Sequence, residues 1–151
     1  WRFEFAFSLG AIIAMFHDIL ICVGIYCIFG RQISATTMAA LLTIIGYSIN
    51  DTIVIYDRIR ENMHKYPARD MIEVCNLSVN ETLGRTILTS MTIFLAVLML
   101  FIFGGGAIND FAFLFLVGTI TGTYSSVYIA TPIMLFMRRV LKKPGTGALA
   151  R

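Results

Sequence analysis

Four long apolar blocks, at about 5–29, 33–57, 86–103 and 110–137, limit what this chain can fold into. Each is long enough to cross a bilayer core of about 30 Å as a helix. The apolar residues run continuously rather than in the short alternations of a soluble core. Composition agrees: 58% of residues are hydrophobic and 14% charged, where a soluble domain carries about 25% charged residues, and the mean hydropathy is +0.80. The expected fold is an all-α, polytopic transmembrane bundle of four spans, a single transmembrane domain over 1–151. Its first partner is the lipid bilayer, and nucleic acid is not expected as a partner.

The segments between the blocks carry their own signals. Gly30-Arg31-Gln32 makes a short turn that returns the second span antiparallel to the first. Arg58 to Arg85 is polar and broken at Tyr66-Pro67, and Met71, Cys75, Val79 and Leu83 then recur at a spacing of four. Asp70, Glu73 and Glu81 lie off that stripe, which predicts an amphipathic helix on the membrane surface or against the ends of the spans. Gly104-Gly105-Gly106 closes the third span; without the Lys and Ser or Thr of a phosphate loop, it reads as a tight turn. Gly118, Gly122, Ser126 and Ala130 form a small-residue packing stripe on the fourth span, and Gly46 and Ser48 would admit a helix close to the second. Pro132 kinks or ends the last turn, tilt or bending is expected between Phe111 and Met137, and the tail from Leu141 reads as loose. Arg2-Phe3-Glu4-Phe5 has the character of an interfacial loop. The chain starts at Trp1 without a signal pattern, and we read it as a piece of something longer.

Charge sets an expected orientation. Eleven of the twelve Lys and Arg residues fall at the N-terminal edge, in 58–85 or after Met137, and only Arg31 falls on the other side. Short loops rich in Lys and Arg stay inside, so 58–85 and the C-terminus are expected to be cytoplasmic. The glycosylation patterns at Asn76 and Asn80 are then on the wrong side and are chance matches. Cys22, Cys27 and Cys75 do not form a disulfide framework, and neither His17 nor His64 has a second ligand at helical spacing, so no metal or other cofactor is expected.

Against this background Asp51 stands out. It lies on the apolar side of the border between an uncharged run, Ile33 to Ile49, and the polar segment that follows. A carboxylate within a span costs roughly 2.5 to 3.5 kcal/mol on insertion scales, so it normally faces protein or water and marks a pathway. With Asp57 at the border, Asp51 lies about 9 Å inward. Arg85 opens the third span at the same border, where it is either a positive-inside anchor or a side chain that reaches Asp51. His17 and Asp18 sit near the middle of the first span and need partners, either as bundle hydrogen bonds or as a second station on a proton path.

These residues carry a resemblance. Gly46 to Asn62, containing Asn50-Asp51-Thr52-Ile53-Val54 and Asp57-Arg58-Ile59-Arg60-Glu61-Asn62, resembles the signature of the SecF branch of the SecD/SecF protein-export family. Glu81-Thr82-Leu83-Gly84-Arg85-Thr86, the Ser-containing apolar run that ends in Phe103-Gly104-Gly105, and the opening Trp1 to Phe5 are similar to the same family. The likeness extends to about Val140. It implies an accessory, non-enzymatic subunit that uses the proton motive force to promote export through the Sec translocase of the bacterial inner membrane. The family sits within the resistance-nodulation-division transporters. The implied partners are a SecD-like subunit, a SecYEG-type translocon and, through an extracytoplasmic domain absent here along with the first two spans, the preprotein. By motif the resemblance places proton movement on Asp51 and Arg85. Two rivals are a small-molecule exporter of the same superfamily, which would need a much longer chain with two linked halves, and a structural translocon subunit that moves no protons.

Overall fold

The computed structural model describes the backbone of residues 2–141 and the side chains of residues 5–140. Five helices follow one another: α1 (Arg2–Ile28), α2 (Ala35–Lys65), α3 (Met71–Phe103), α4 (Ala107–Ser125) and, after a π-helical turn (Ser126–Ala130), α5 (Thr131–Leu141). Four continuous rods result, because α4, the π turn and α5 form one apolar stretch, and each rod is long and apolar enough to cross a membrane. The chain is a multi-pass membrane protein with no strand among its described residues.

Local chemistry sets the ends of the rods. Gly30 and Gly106 have φ of 64° and 50°, the left-handed region that favours glycine, and each lies in the turn that reverses the chain. Thr37 Oγ1 accepts the Ser34 N–H at 3.1 Å at the start of α2. Asp70 opens α3 by accepting the Met71 N–H at 2.8 Å. The tail expected to be loose lies, apart from the Leu141 backbone, outside the described residues.

Three boundaries differ from expectation. Arg2 to Phe5 is the first turn of α1 rather than a loop. The amphipathic stretch after Tyr66 is not a separate helix: it is the first half of α3, which has no proline to break it before Phe103. Met71, Cys75 and Val79 pack against the ends of the other rods, in a cluster with Ile55, Ile59 and Met134, while Leu83 is exposed. Pro132 does not end the last helix. The π turn lies just ahead of it, Thr131 Oγ1 bonds the Ser126 carbonyl at 3.2 Å, and helix continues to Leu141; a widened turn accommodates a ring that would otherwise meet the preceding carbonyl.

α2 and α4 make the most extensive contact. The small-residue stripe causes it: a Cβ built on Gly118 would strike Ile44, and one on Gly122 would lie 3.3 Å from Ser48 Cβ. Gly46 is exposed with nothing within 4 Å of such a Cβ, so α4, not Gly46, supplies the close approach. Two apolar clusters result. One holds Cys22, Tyr26, Ala40, Ile44 and Leu114; the other holds Ala14, Ile55, Tyr56, Ile59, Ala130 and Met134. Between them, at the level of residues 18, 48–52, 86–90 and 119–126, the buried side chains are polar.

Candidate functional site

The polar layer is built from facing positions on all four rods. On α2, Tyr47, Ser48, Asp51, Thr52, Ile55 and Tyr56 are buried, so Tyr47, Ser48 and Ile55, which flank Asp51 at helical spacing, face inward with it. Asp51 is 4% exposed, and its Oδ2 is buried without a hydrogen-bond partner. An orphaned carboxyl oxygen costs on the order of 1 to 3 kcal/mol or more, and groups left this way call for a reason.

Arg85 lies within electrostatic reach of Asp51 but makes no ion pair with it, and its side chain is exposed. The two predicted residues therefore share one level of adjacent helices without closing onto each other. Burial disfavours the charged form of a carboxyl group and a nearby guanidinium favours it, so the state of such an acid is sensitive to small movements of the arginine.

Asp18 is 1% exposed and fully bonded. Its Oδ2 accepts from Ser48 Oγ at 2.6 Å and Ser125 Oγ at 2.7 Å, and His17 Nδ1 lies 3.3 Å from Oδ1. The geometry thus supplies the bundle hydrogen bonds: α1, α2 and α4 are tied through one carboxyl group. Ser48, expected only as a small spacer, is one of its two hydroxyl donors.

A row of hydroxyls faces α2 from α3. Ser78, Thr82, Thr86 and Ser90 are all buried at intervals of four. The sequence carries that spacing, one residue out of step with the Met71 to Leu83 stripe. At one end Ser90 joins Tyr47 and Thr123; at the other Ser78 accepts from Asn62 Nδ2 at 3.0 Å. Asn62 Nδ2 also donates to Glu81, which accepts from Arg58, so the protruding halves of α2 and α3 are joined. Among the described residues no three His, Cys, Asp or Glu side chains gather closely enough to hold a metal ion.

Residues 1–140 match the family described as protein export membrane protein SecD/SecF, C-terminal. The protein translocase subunit SecF of Rhodobacter capsulatus is 52% identical over 136 residues, 90% of this chain and 41% of that protein. The SecF of Rhodothermus marinus is 49% identical over 143 residues, 91% of this chain and 46% of that protein. The crystal structure of SecDF, a translocon-associated membrane protein from Thermus thermophilus, superposes with a TM-score of 0.85 at 43% identity. That match covers 89% of this chain and 19% of the larger one. The chain thus spans less than half the length of the curated relatives it matches.

Proposed function

The chain belongs to the SecD/SecF C-terminal family of protein export membrane proteins, and from that membership we propose that it is the membrane portion of an accessory subunit of the Sec preprotein translocase. In this reading it draws on the proton motive force to promote export across the bacterial cytoplasmic membrane, and it is not an enzyme. The observation that carries the reading is the Asp51 carboxyl group, buried between apolar clusters with one oxygen unpartnered and Arg85 within electrostatic reach.

The chemistry is proton uptake and release at Asp51. With Arg85 turned toward it, the carboxylate form is favoured; with Arg85 turned away, as its exposed side chain permits, burial favours the protonated form. Protonation and helix position are then linked. A proton gradient that biases one biases the other, which is how it does work on a distant domain. The partners in this reading are a SecD-like subunit, a SecYEG-type translocon and the preprotein. The preprotein would be met by an extracytoplasmic part of the larger protein, while the residues here hold the proton machinery.

The deciding experiment is proton flux into vesicles holding the full complex, wild type against Asp51→Asn. Asn keeps the size and cannot ionise, so flux should vanish while the subunit remains inserted. Wild-type flux through the variant would refute the proton role of Asp51.

A further inference from the structure

The turn between α2 and α3 and the last turn of α5 border a pocket of about 470 Å³ to which the reading above gives no role. That volume lies within the range of about 300 to 1,000 Å³ typical of ligand sites. Three guanidinium groups line it, Arg69 from the turn and Arg138 and Arg139 from α5, against one carboxylate, Asp70. Asp70 is already engaged as the cap that accepts the Met71 N–H. Arg138 is seated against the sulfurs of Met63 and Met71, weak acceptors that carry no charge. The guanidinium of Arg69 lies 4.6 Å over the Tyr66 ring, a stacking that leaves its edge N–H groups available. Among the described residues neither Arg69 nor Arg139 forms an ion pair.

The level of the pocket narrows what it can take. Arg138 and Arg139 stand where the fourth spanning rod, 107–140, comes to its end, so the pocket lies at the height of lipid headgroups, on the face that the distribution of Lys and Arg assigns to the cytoplasm. Apolar surface adjoins it. Ile72, in the pocket wall, is exposed, and Phe136 and Val140, also exposed, share one side of α5 with Arg139 at spacings of three and one.

We propose that this pocket binds the phosphate of an anionic phospholipid, with the guanidinium groups of Arg69, Arg138 and Arg139 around its oxygens and the acyl chains along Ile72, Phe136 and Val140. The planar fork of arginine matches phosphate oxygens through paired hydrogen bonds. Basic pockets between spanning helices on the cytoplasmic side suit such headgroups. An arginine that only anchors topology needs no pocket, since it extends its charge to water; these three converge on one cavity from two separate parts of the chain. The end of the chain does not supply the anion: from Arg138 to Arg151 it has five basic side chains and no acidic one. A bound headgroup bridges α5 to the turn that joins the helices bearing Asp51 and Arg85, and the site stands independently of the role given to Asp51.

The test is photocrosslinking in phosphatidylcholine vesicles that hold the full complex and a small, subsaturating fraction of phosphatidylglycerol with a photoreactive acyl chain. Peptide mass spectrometry then measures the yield on segments 63–74 and 135–140. In the wild type the yield there should exceed that from a phosphatidylcholine probe of the same chains. Arg69→Gln and Arg138→Gln should each lower it about fivefold, the worth of one basic residue near a charged headgroup. Lys65→Gln removes the same charge from the adjoining end of α2, outside the pocket wall, and should leave the yield near wild type. Equal losses in Lys65→Gln and Arg69→Gln would mean a diffuse attraction to a basic face and overturn the site. Equal yields from the two lipid probes would overturn it as well. Inorganic phosphate should compete no better than chloride at the same ionic strength; selective displacement by phosphate would assign the pocket to a soluble anion and overturn the lipid. If Arg138→Gln fails to insert, the comparison of Arg69→Gln with Lys65→Gln decides.

Discussion

A single carboxyl group carries the functional argument, and its test is charge against shape. Asp51→Asn should abolish gradient-dependent export in cells that make only the variant, with normal insertion on immunoblots of washed membranes. Arg85 separates more finely, since Lys and Arg serve equally as inside anchors. Lys lacks the planar fork that holds a carboxylate through two bonds, so Arg85→Lys should impair export if the guanidinium closes onto Asp51 during the cycle. Arg85→Met combined with Asp51→Asn should be little worse than either change alone, because members of one relay do not lose activity additively. Full export in the Lys variant, or losses that multiply in the double variant, would leave Arg85 an anchor. The burial of Asp51 was legible in the sequence because a carboxylate within an apolar span must face protein or water rather than lipid. The hydroxyls around it were not. Thr86 is buried in the polar layer, while Thr89, half-buried, and Thr92, exposed, bond their own helix at the Arg85 and Leu88 carbonyls. A hydroxyl that can satisfy itself on the preceding turn gives no sign of which way it faces.

At the scale of helices, hydropathy located the rods but misjudged where they stop. The third was expected to begin near Thr86, where charge ends, yet α3 begins at Met71. A helix ends where its backbone is broken or capped, not where its surface turns polar, and Asp70 is the cap. The small-residue stripe was readable because it repeats every four residues, though its partner was not: α2 meets it with Ile44 and Ser48, not with Gly46. This contact makes a graded prediction. In Gly118→Ala the new methyl meets the side chain of fully buried, β-branched Ile44, an overpacking that costs about 1 to 3 kcal/mol. Gly24→Ala, where nothing lies within 4 Å, should be neutral or slightly stabilising. Unfolding in detergent micelles would measure both, and Ile44→Ala should recover part of the Gly118→Ala loss. Equal stabilities for the two alanine variants would mean that α2 and α4 do not approach as closely as the structure has them.

The whole molecule has two unlike ends, and each is internally tied. At one, Arg31 Nη1 bonds Asp110 at 2.5 Å and Asn109 at 3.0 Å, joining the α1–α2 turn to the α3–α4 turn. At the other, Arg138 contacts Met63 and Met71, joining α5 to the turn between α2 and α3. The loops therefore sort into two faces whatever the orientation, and the distribution of Lys and Arg then assigns the faces. Arg31, the one basic residue on the proposed outer face, is neutralised by Asp110, which weakens its claim as an inside anchor. The prediction is that cysteines introduced singly at Gln32 and Ala107, both exposed, react with a membrane-impermeant thiol reagent added to intact cells. One at Lys65, also exposed, should react only after the membrane is opened. The background must lack Cys27, which is exposed, whereas Cys22 and Cys75 are buried. Labelling at Gln32 without Ala107 would contradict the shared face, and so the fold. Labelling at Lys65 alone would keep the fold and invert it in the membrane, placing Asp51 nearer the outer face than the cytoplasmic one and reversing the side from which Arg85 approaches it.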